Sequence, residues 1–280
     1  MGKQRKPNTQ WHELFVGVMH LELLEEAAHM EFKPELQLGE QPPAVDLLII
    51  KKDPAISVTN EIGRIFREHN LMEYKSPDDA LTIRDFFKTV GYAGLYIGSE
   101  AVNSGADPGE VTITLIRAGM PVKMMRTLKK NFGCEITEAY PGIYYVTGAV
   151  ALPTQIVVTN RLKTGAHAWL QAINGREPDR DLYRRIAYHD REKDSAEKEH
   201  IRAIFRHIYR HYGPSFEQFY KEENVMVKTF DDFVNEMAEE YIKELKTEND
   251  QYREEVDQYR QENDQYRKRI AELEAQLAAR

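Results

Sequence analysis

Residues 44–76 read AVDLLIIKKDPAISVTNEIGRIFREHNLMEYKS and hold two short apolar runs, each interrupted by charge. The first run carries Asp46, and the second carries Glu73 and Lys75. Side chains alternate across a strand with a period of two, so Glu73 and Lys75 point to one face while Tyr74 points to the other. If the two runs pair as neighbouring strands, three charged groups come together on one sheet.

Asp46 carries most of the information in this stretch. It interrupts the run VDLLII, where a buried strand should be uniformly apolar, and a buried charge is costly unless it is paired or bound to a metal. Two neighbouring carboxylates suit Mg²⁺, which prefers oxygen ligands. Such an ion beside Lys75 is the equipment for metal-assisted hydrolysis of a phosphodiester. The simpler interpretation of Glu73 and Lys75 is a salt bridge at a strand end.

The order of these motifs, followed by DFFKTVGY at residues 85–92, resembles the PD-(D/E)xK nuclease superfamily. More narrowly, it is similar to bacterial proteins grouped with the recombination-promoting nuclease and putative transposase families. The resemblance spans residues 10–165. Pro42 and Pro43 stand where the superfamily loosely keeps a Pro-Asp pair, two or more residues early. The resemblance implies an α/β fold with a restriction-endonuclease-like core, in which a central mixed sheet is flanked by helices.

The resemblance also implies a role for each residue of the site. Asp46, Glu73 and the main-chain carbonyl of Tyr74 would hold Mg²⁺ or Mn²⁺, and Lys75 would be the catalytic lysine. Related folds often add a helical carboxylate, and our candidate is Glu22 in a helix predicted over about residues 10–28. A solvated position at the edge of that helix is the simpler interpretation of Glu22. The implied function is a Mg²⁺-dependent endonuclease that hydrolyses DNA.

The charge distribution keeps other functions open. The net charge is −8, but residues 1–170 carry 18 Lys and Arg against 20 Asp and Glu, so the acid lies mainly in the C-terminal part. A near-neutral domain attracts phosphate weakly, and binding to nucleic acid would depend on local patches. One alternative is therefore a non-catalytic dimeric interaction or regulatory protein that keeps the fold. Another is a hydrolase that acts on RNA or small nucleotides.

Two predicted helices supply basic patches. In the helix at about residues 81–97, two cations and a phenol recur every four residues, and the helix at 121–132 holds the densest basic cluster of this half. A solvated face is the default explanation for such rows, and contact with nucleic acid is the functional one. The candidate contact residues are Arg84, Lys88, Tyr92, Lys123, Arg126 and Lys130.

The chain divides into three predicted regions, at residues 1–165, 166–228 and 229–280. Strand patterns in the first region occur at residues 30–38, 44–51, 71–76, 111–118, 143–147 and 155–159, and residues 59–70 have a short helical pattern. Beyond residue 166 only helical patterns remain, so the second region is predicted to be a helical linker and the third a long helix.

The third region predicts a parallel coiled-coil homodimer through residues 242–280. The near copies NDQYREE, VDQYRQE and NDQYRKR follow one heptad register. Its a positions are Ile242, Asn249, Val256, Asn263, Ile270 and Leu277, and its d positions are Leu245, Tyr252, Tyr259, Tyr266 and Leu273. In a parallel pair the g-to-e contacts are all of opposite sign: Glu248 with Arg253, Glu255 with Arg260, Glu262 with Arg267, and Arg269 with Glu274. The simpler alternative is an isolated polar helix.

The sequence also bears on compartment. Cys134 is the single cysteine, so an internal disulfide is impossible. The basic start MGKQRKPNTQ is not followed by the apolar segment of a signal peptide, and no run is long enough to cross a membrane. These features predict a cytoplasmic protein.

Overall fold

The chain forms an α/β structure in which a seven-stranded mixed sheet is flanked by helices. The computed structural model describes residues 11–37, 44–53, 55–99, 106–148, 151–163, 165–189, 195–222 and 228–278. The strands are β1 (Met30–Gln37), β2 (Ala44–Lys51), β3 (His69–Lys75), β4 (Val111–Arg117), β5 (Glu135–Tyr140), β6 (Ile143–Thr147) and β7 (Thr154–Val158). The helices are α1 (Trp11–Glu22), α2 (Ile83–Gly98), α3 (Val122–Phe132), α4 (Arg180–His189), α5 (Ser195–Glu222) and α6 (Lys228–Ala278).

The strand order is β1-β2-β3-β4-β7-β6-β5. The central strands β3, β4 and β7 are parallel to one another, and the outer strands pair antiparallel on both sides. Parallel strands at the middle of a sheet are covered on both faces, which explains their near-continuous apolar sequences. Nearly every residue of these three strands is buried. A charged side chain in this region therefore needs a specific partner.

The first strand is continuous through Pro34, a residue type that is rare inside sheets because it cannot donate to the ladder. Pro34 pairs with Leu47 within the antiparallel ladder of β1 and β2. β1 lies at one edge of the sheet, so the missing N–H of the proline can face away from the neighbouring strand. The position of the strand in the sheet thus explains why the proline is tolerated.

Two of the expected helices are shorter than predicted. α1 ends at Glu22, and a turn with a short 3-10 segment, Ala27–His29, follows in place of a helix to residue 28. The segment at 59–70 contains only the 3-10 turn Glu61–Ile65 before β3 begins. By contrast, α2 starts with a complete capping box, in which Thr82 and Asp85 satisfy each other's backbone N–H groups.

The two faces of the sheet are covered by different helices. On one face, buried residues of α2 and α3, including Phe86, Tyr96 and Leu128, pack against β-strand residues to form an apolar core. On the other face, the ring of Phe15 in α1 stacks on Tyr74 of β3 with centroids 4.9 Å apart. Consecutive residues of β3 therefore serve different layers, as strand alternation requires.

The chain separates into two compact units, Met1–Glu223 and Asn224–Arg280. The region predicted as a linker, 166–228, contributes α4 and α5 to the first unit. For example, the ring of His207 in α5 lies 5.1 Å from Trp11 of α1. α5 packs against α1 and α4 packs against α5, and buried apolar residues of both helices, such as Ile186 and Ile204, belong to the core of this unit.

The second unit is the helix α6, which has 51 residues and a length of about 76 Å. Seven of its large apolar side chains are between 42% and 66% exposed: Ile242, Leu245, Tyr252, Val256, Tyr259, Tyr266 and Ile270. All seven occupy predicted a or d positions. The described part of the chain contains no helix that combines the length and the apolar character needed to cross a membrane.

Candidate functional site

Asp46 and Glu73 come together near one end of the β2–β3 pair. The antiparallel register pairs Leu47 with Met72, and one residue further it sets Asp46 opposite Glu73. Opposite residues of an antiparallel pair share one face of the sheet. The backbone N–H of Tyr74 donates to Asp46 Oδ2 at 2.8 Å, which holds this carboxylate beside β3. The structure thus places next to each other the two carboxylates that the sequence predicts as site residues.

The Glu73 carboxylate is buried and only partly satisfied. Its side chain is 2% exposed, and Oε1 accepts hydrogen bonds from Lys75 Nζ at 3.0 Å and Lys88 Nζ at 2.7 Å. Within the described residues, Oε2 is buried and has no hydrogen-bond partner. A buried oxygen of an ionised group that lacks a partner is costly. This oxygen is therefore suited to accept a cation.

Lys75 is held between two carboxylates. Its Nζ lies 3.0 Å from Glu73 and 3.2 Å from Asp85, the residue that also completes the capping box of α2. Burial alone would lower the pKa of Lys75, but the hydrogen bonds and negative charges of Glu73 and Asp85 outweigh it, and the pKa is raised. Lys75 therefore carries a positive charge at neutral pH, and its position is fixed from both sides.

Asp46 faces α1 as well as β3. The Nδ1 atom of His12, in the first turn of α1, lies 3.1 Å from Asp46 Oδ1. Burial raises the pKa of Asp46, and the negative charge of Glu73 raises it further, against the opposing effects of the Tyr74 N–H, His12 and Lys75. A cation bound beside Asp46 would relieve its repulsion by the Glu73 charge.

The donor set fits a small divalent ion. Asp46 and Glu73 offer carboxylate oxygens, Oε2 of Glu73 has no competing hydrogen bond among the described residues, and His12 adds an imidazole. Oxygen ligands suit Mg²⁺, while Mn²⁺ also accepts a nitrogen ligand. The Tyr74 side chain points to the other face and donates to the carbonyl of Ile173, so the role expected of Tyr74 concerns its main chain alone.

Glu22 does not belong to this site, contrary to the sequence-based expectation. His12 marks the end of α1 that touches Asp46, and Glu22 lies ten residues further along the helix, a distance of about 15 Å. The Glu22 carboxylate accepts a hydrogen bond from the backbone N–H of Leu170 at 3.0 Å. Glu22 is buried at the opposite end of the helix, so the simpler interpretation of a solvated edge position is wrong as well.

Glu22 instead forms part of a second charged cluster around His167. His167 Nδ1 lies 3.3 Å from Glu22, and its Nε2 lies 3.2 Å from Glu61. The side chains of His167 and Glu22 are 1% and 2% exposed. Burial would lower the pKa of His167, but its hydrogen bonds to the two carboxylates and their charges raise it. An open cavity of about 700 Å³ borders this cluster.

A third cluster combines residues with metal-ligand chemistry. One potential ligand atom from each of Glu68, His69 and Glu110 lies within 4.8 Å of the others. The Nδ1 atom of His69 is hydrogen-bonded to the hydroxyl of Tyr96 at 2.8 Å, which orients the ring. Burial lowers the pKa of His69 although Glu68 and Glu110 oppose it. His69 is four residues before Glu73 on β3, so this cluster lies about 13 Å from the Asp46–Glu73 site.

The predicted nucleic-acid contacts lie on α2 and α3. On α2, Lys88 reaches Glu73, its Nζ lies 5.3 Å from the centre of the Tyr92 ring, and Arg84 is exposed one turn earlier. On α3, Lys123, Arg126 and Lys130 are exposed and form no ion pair with a described residue. The structure thus places Lys88 at the carboxylate site, while Arg84 and the α3 cations lie on the exposed helical surface.

Three features of these clusters were missed at the sequence level. His12 is a neighbour of Asp46, Lys88 is a second cation on Glu73, and His167 bridges Glu22 to Glu61. The spacing of Lys88 from Arg84 and Tyr92 signals a helical face, and only the packing of α2 on β3 reveals its carboxylate partner. His12 and His167 carry no spacing signal, because their partners are far away in the sequence.

Comparisons with known proteins identify no relative: no family model, no curated protein and no solved structure matches this chain.

Proposed function

We propose that this protein is a metal-dependent nuclease of the PD-(D/E)xK type, which hydrolyses phosphodiester bonds in DNA. The observation that carries the proposal is the buried Oε2 atom of Glu73, which has no hydrogen-bond partner among the described residues. It belongs to a carboxylate that interacts with Asp46 and is bonded through Oε1 to Lys75. Buried carboxylates that serve only a salt bridge usually have hydrogen bonds to both oxygens. The arrangement instead leaves one oxygen for a cation.

Asp46 and Glu73 would hold the ion, with the Tyr74 carbonyl and His12 as further ligands. The ion when bound would supply Lewis acidity toward a phosphate oxygen and a lowered pKa for water. The protein would supply the ligands from two strands and from the first turn of α1. His12 is 52% exposed, so its ring has room to turn toward an ion beside Asp46.

The two lysines on Glu73 have different expected roles. Lys75 is fixed between Glu73 and Asp85, so its ammonium group would donate hydrogen bonds to the phosphate or to the attacking water from a constant position. Lys88 is 40% exposed and is held by Glu73 alone among the described carboxylates. Its exposed ammonium group lies at the carboxylate site and would be available to contact a phosphate bound there.

Homodimerisation through α6 is a second part of the proposal. The exposed a and d side chains form an apolar seam on one helix, and a second copy of the same helix covers such a seam with complementary g-to-e charges. In the single chain Arg260 pairs with Asp257 on its own helix at 3.3 Å, so the contacts between helices must compete with local ones. A dimer would bring two nuclease domains to one nucleic acid molecule.

The nuclease proposal is tested by cleavage of supercoiled plasmid DNA while Mg²⁺ or Mn²⁺ is titrated. We expect nicking that depends on the ion, stops with EDTA, and falls at least about 100-fold in Lys75→Ala because a fixed charged donor is removed. Lys33→Ala is the matched control, since Lys33 forms a surface ion pair with Glu31 at 3.5 Å and no described ion pair with Asp46 or Glu73. Its rate should equal that of the wild type.

An inactive wild-type protein would contradict the proposal. If plasmid, single-stranded DNA and RNA all stay intact with both ions, the non-catalytic dimeric alternative is favoured. If only RNA is cut, metal-dependent phosphodiester hydrolysis is supported, but DNA is the wrong substrate.

Dimerisation is tested by sedimentation equilibrium on the full chain and on a chain that ends at Lys243. The full chain is expected to dimerise and the shortened chain to stay monomeric. Each exposed g-to-e pair contributes about 0.3–0.5 kcal/mol, so the apolar seam must supply most of the stability. Tyrosine at d and asparagine at a weaken that seam, so we expect a concentration-dependent equilibrium. A full chain that remains monomeric at tens of micromolar, or a shortened chain that dimerises equally well, contradicts this part.

A further inference from the structure

An exposed aromatic pair lies on the helical layer that carries the basic residues. Phe87 of α2 and Phe132 of α3 are 43% and 40% exposed, and their ring centroids are 4.8 Å apart. Behind them, Phe87 packs edge-to-face on the buried ring of Phe86 at 5.4 Å. Phe87 is therefore supported from the core, Phe132 packs on Phe87, and both rings are open toward solvent.

Cations surround this pair. Lys129 lies one turn before Phe132, on the same side of α3, and Arg84 lies one turn before Phe87 on α2. α3 carries four cations and no acidic residue, and none of its cations forms an ion pair with a described residue. Lysine is depleted at protein–protein interfaces, whereas aromatic rings among cations are typical of surfaces that bind single-stranded nucleic acid.

The aromatic pair is also close to the carboxylate site. Phe87 is followed directly by Lys88, whose Nζ lies 2.7 Å from Glu73. The two side chains leave α2 in different directions, so the path between the rings and Glu73 crosses about one helix diameter, or ~10 Å. A strand that stacks bases on the rings could therefore pass its backbone over Arg84 and Lys88 to the site.

We propose that Phe87 and Phe132 form a stacking platform for unpaired bases, so that the preferred ligand is a single-stranded segment of nucleic acid. Bases in a duplex have both faces covered by neighbours and cannot stack on a protein ring, whereas every unpaired base offers a free face. The proposed binding of single-stranded nucleic acid does not depend on nuclease activity. The inference that such a segment is also the substrate rests on the proposed nuclease function.

The test is fluorescence anisotropy in EDTA with a labelled single-stranded DNA and its duplex, so that binding is measured without cleavage. For Phe87→Leu/Phe132→Leu, we expect single-strand affinity to fall at least about tenfold, while duplex affinity changes less than about twofold. Leucine keeps the apolar packing and removes the rings. Phe87→Tyr/Phe132→Tyr keeps the rings and should bind like the wild type.

A charge variant separates stacking from electrostatics. Lys129→Gln/Lys130→Gln should weaken single-strand and duplex binding alike and should reduce the dependence of affinity on salt, whereas the leucine pair should leave that dependence unchanged. Phe132→Leu alone, at the last residue of α3, gives the same test if the double variant does not fold.

Several results would overturn the platform. One is a wild-type protein that binds duplex more tightly than the single strand. The others are leucine variants that bind the single strand as tightly as wild type does, or that lose the same affinity for both DNAs. Failure of the nuclease proposal gives a different pattern, because ring-dependent binding in EDTA would then persist in a protein that cuts no DNA with either ion.

Discussion

Glu73→Gln is expected to lower Mn²⁺ affinity at least about tenfold and to reduce cleavage more than about 100-fold, and Asp46→Asn should have the same effects. Each change keeps the shape of the side chain and removes its charge. In Glu73→Gln, the oxygen that lacks a partner is replaced by an NH₂ group or becomes a neutral amide oxygen. In both cases the ion loses a negatively charged ligand. Calorimetric titration with Mn²⁺ in the absence of DNA measures the first effect, and plasmid nicking measures the second.

The two lysines provide matched controls for this prediction. Lys75→Gln should keep Mn²⁺ binding and lose turnover, because Lys75 is expected to act on the phosphate. Lys88→Gln removes a competing cation 2.7 Å from Glu73 Oε1, so it should bind Mn²⁺ as tightly as wild type or more tightly. Unchanged Mn²⁺ affinity in Asp46→Asn or Glu73→Gln would show that these carboxylates do not bind the ion.

His167→Gln is expected to destabilise the first unit by about 3 kcal/mol at pH 6. The change removes the cation between Glu22 and Glu61 and leaves the Glu22 carboxylate, 2% exposed, without its charged partner. Only a doubly protonated imidazole can donate to both carboxylates at once. Urea unfolding of the wild type and the variant at each pH measures the difference.

The sign of the pH dependence follows from the raised pKa of His167. A group whose pKa is higher in the folded state contributes stability that is complete below its unfolded value, near 6.5, and is lost as the pH rises through the folded value. The stability difference between wild type and His167→Gln should therefore shrink from pH 6 toward pH 9.

Other histidines make the variant comparison necessary. Burial lowers the pKa of His20, His200 and His207, the last to about 4, so these residues favour folding at higher pH and oppose the effect of His167. Their contributions cancel in the difference between wild type and His167→Gln. The exposed residue His29 supplies the control His29→Gln, which should show no such difference. A constant gap between wild type and His167→Gln across this pH range would show that His167 acts by packing alone.

The central part of the site could be predicted because its signal is local. A charge within an apolar strand and a Glu-x-Lys at the end of the next one are visible in the sequence, and the antiparallel pairing of β2 with β3 sets them opposite each other. Strand alternation places Tyr74 on the other face without any tertiary information. The functional role of the group remains a prediction.

The rest of the site depends on which end of α1 lies over the sheet. Helical periodicity shows that Glu22 lies on or beside the inward stripe, but it does not show how far along the sheet that stripe extends. The helix packs with its first turn at Asp46, so His12 takes the place expected for Glu22. The partner of Glu22 is His167, 145 residues away, and no pattern in the sequence links the two.

One strand also escaped prediction, for a related reason. β5, Glu135–Tyr140, has the sequence EITEAY and is mostly exposed. It pairs with a neighbour on one side only, so it needs no continuous apolar run, and a strand without such a run leaves little trace in the sequence.

The positions of Pro34 and β5 at the two edges of the sheet limit how this protein can associate with itself. On β1 the proline offers no N–H to an incoming strand, and on β5 the exposed, charged side chain of Glu135 would lie next to any added chain. Proline and charge are common means by which natural sheets resist edge-to-edge pairing. Growth of the sheet from copy to copy is therefore disfavoured at both ends, which favours helical surfaces over strand edges for any self-association.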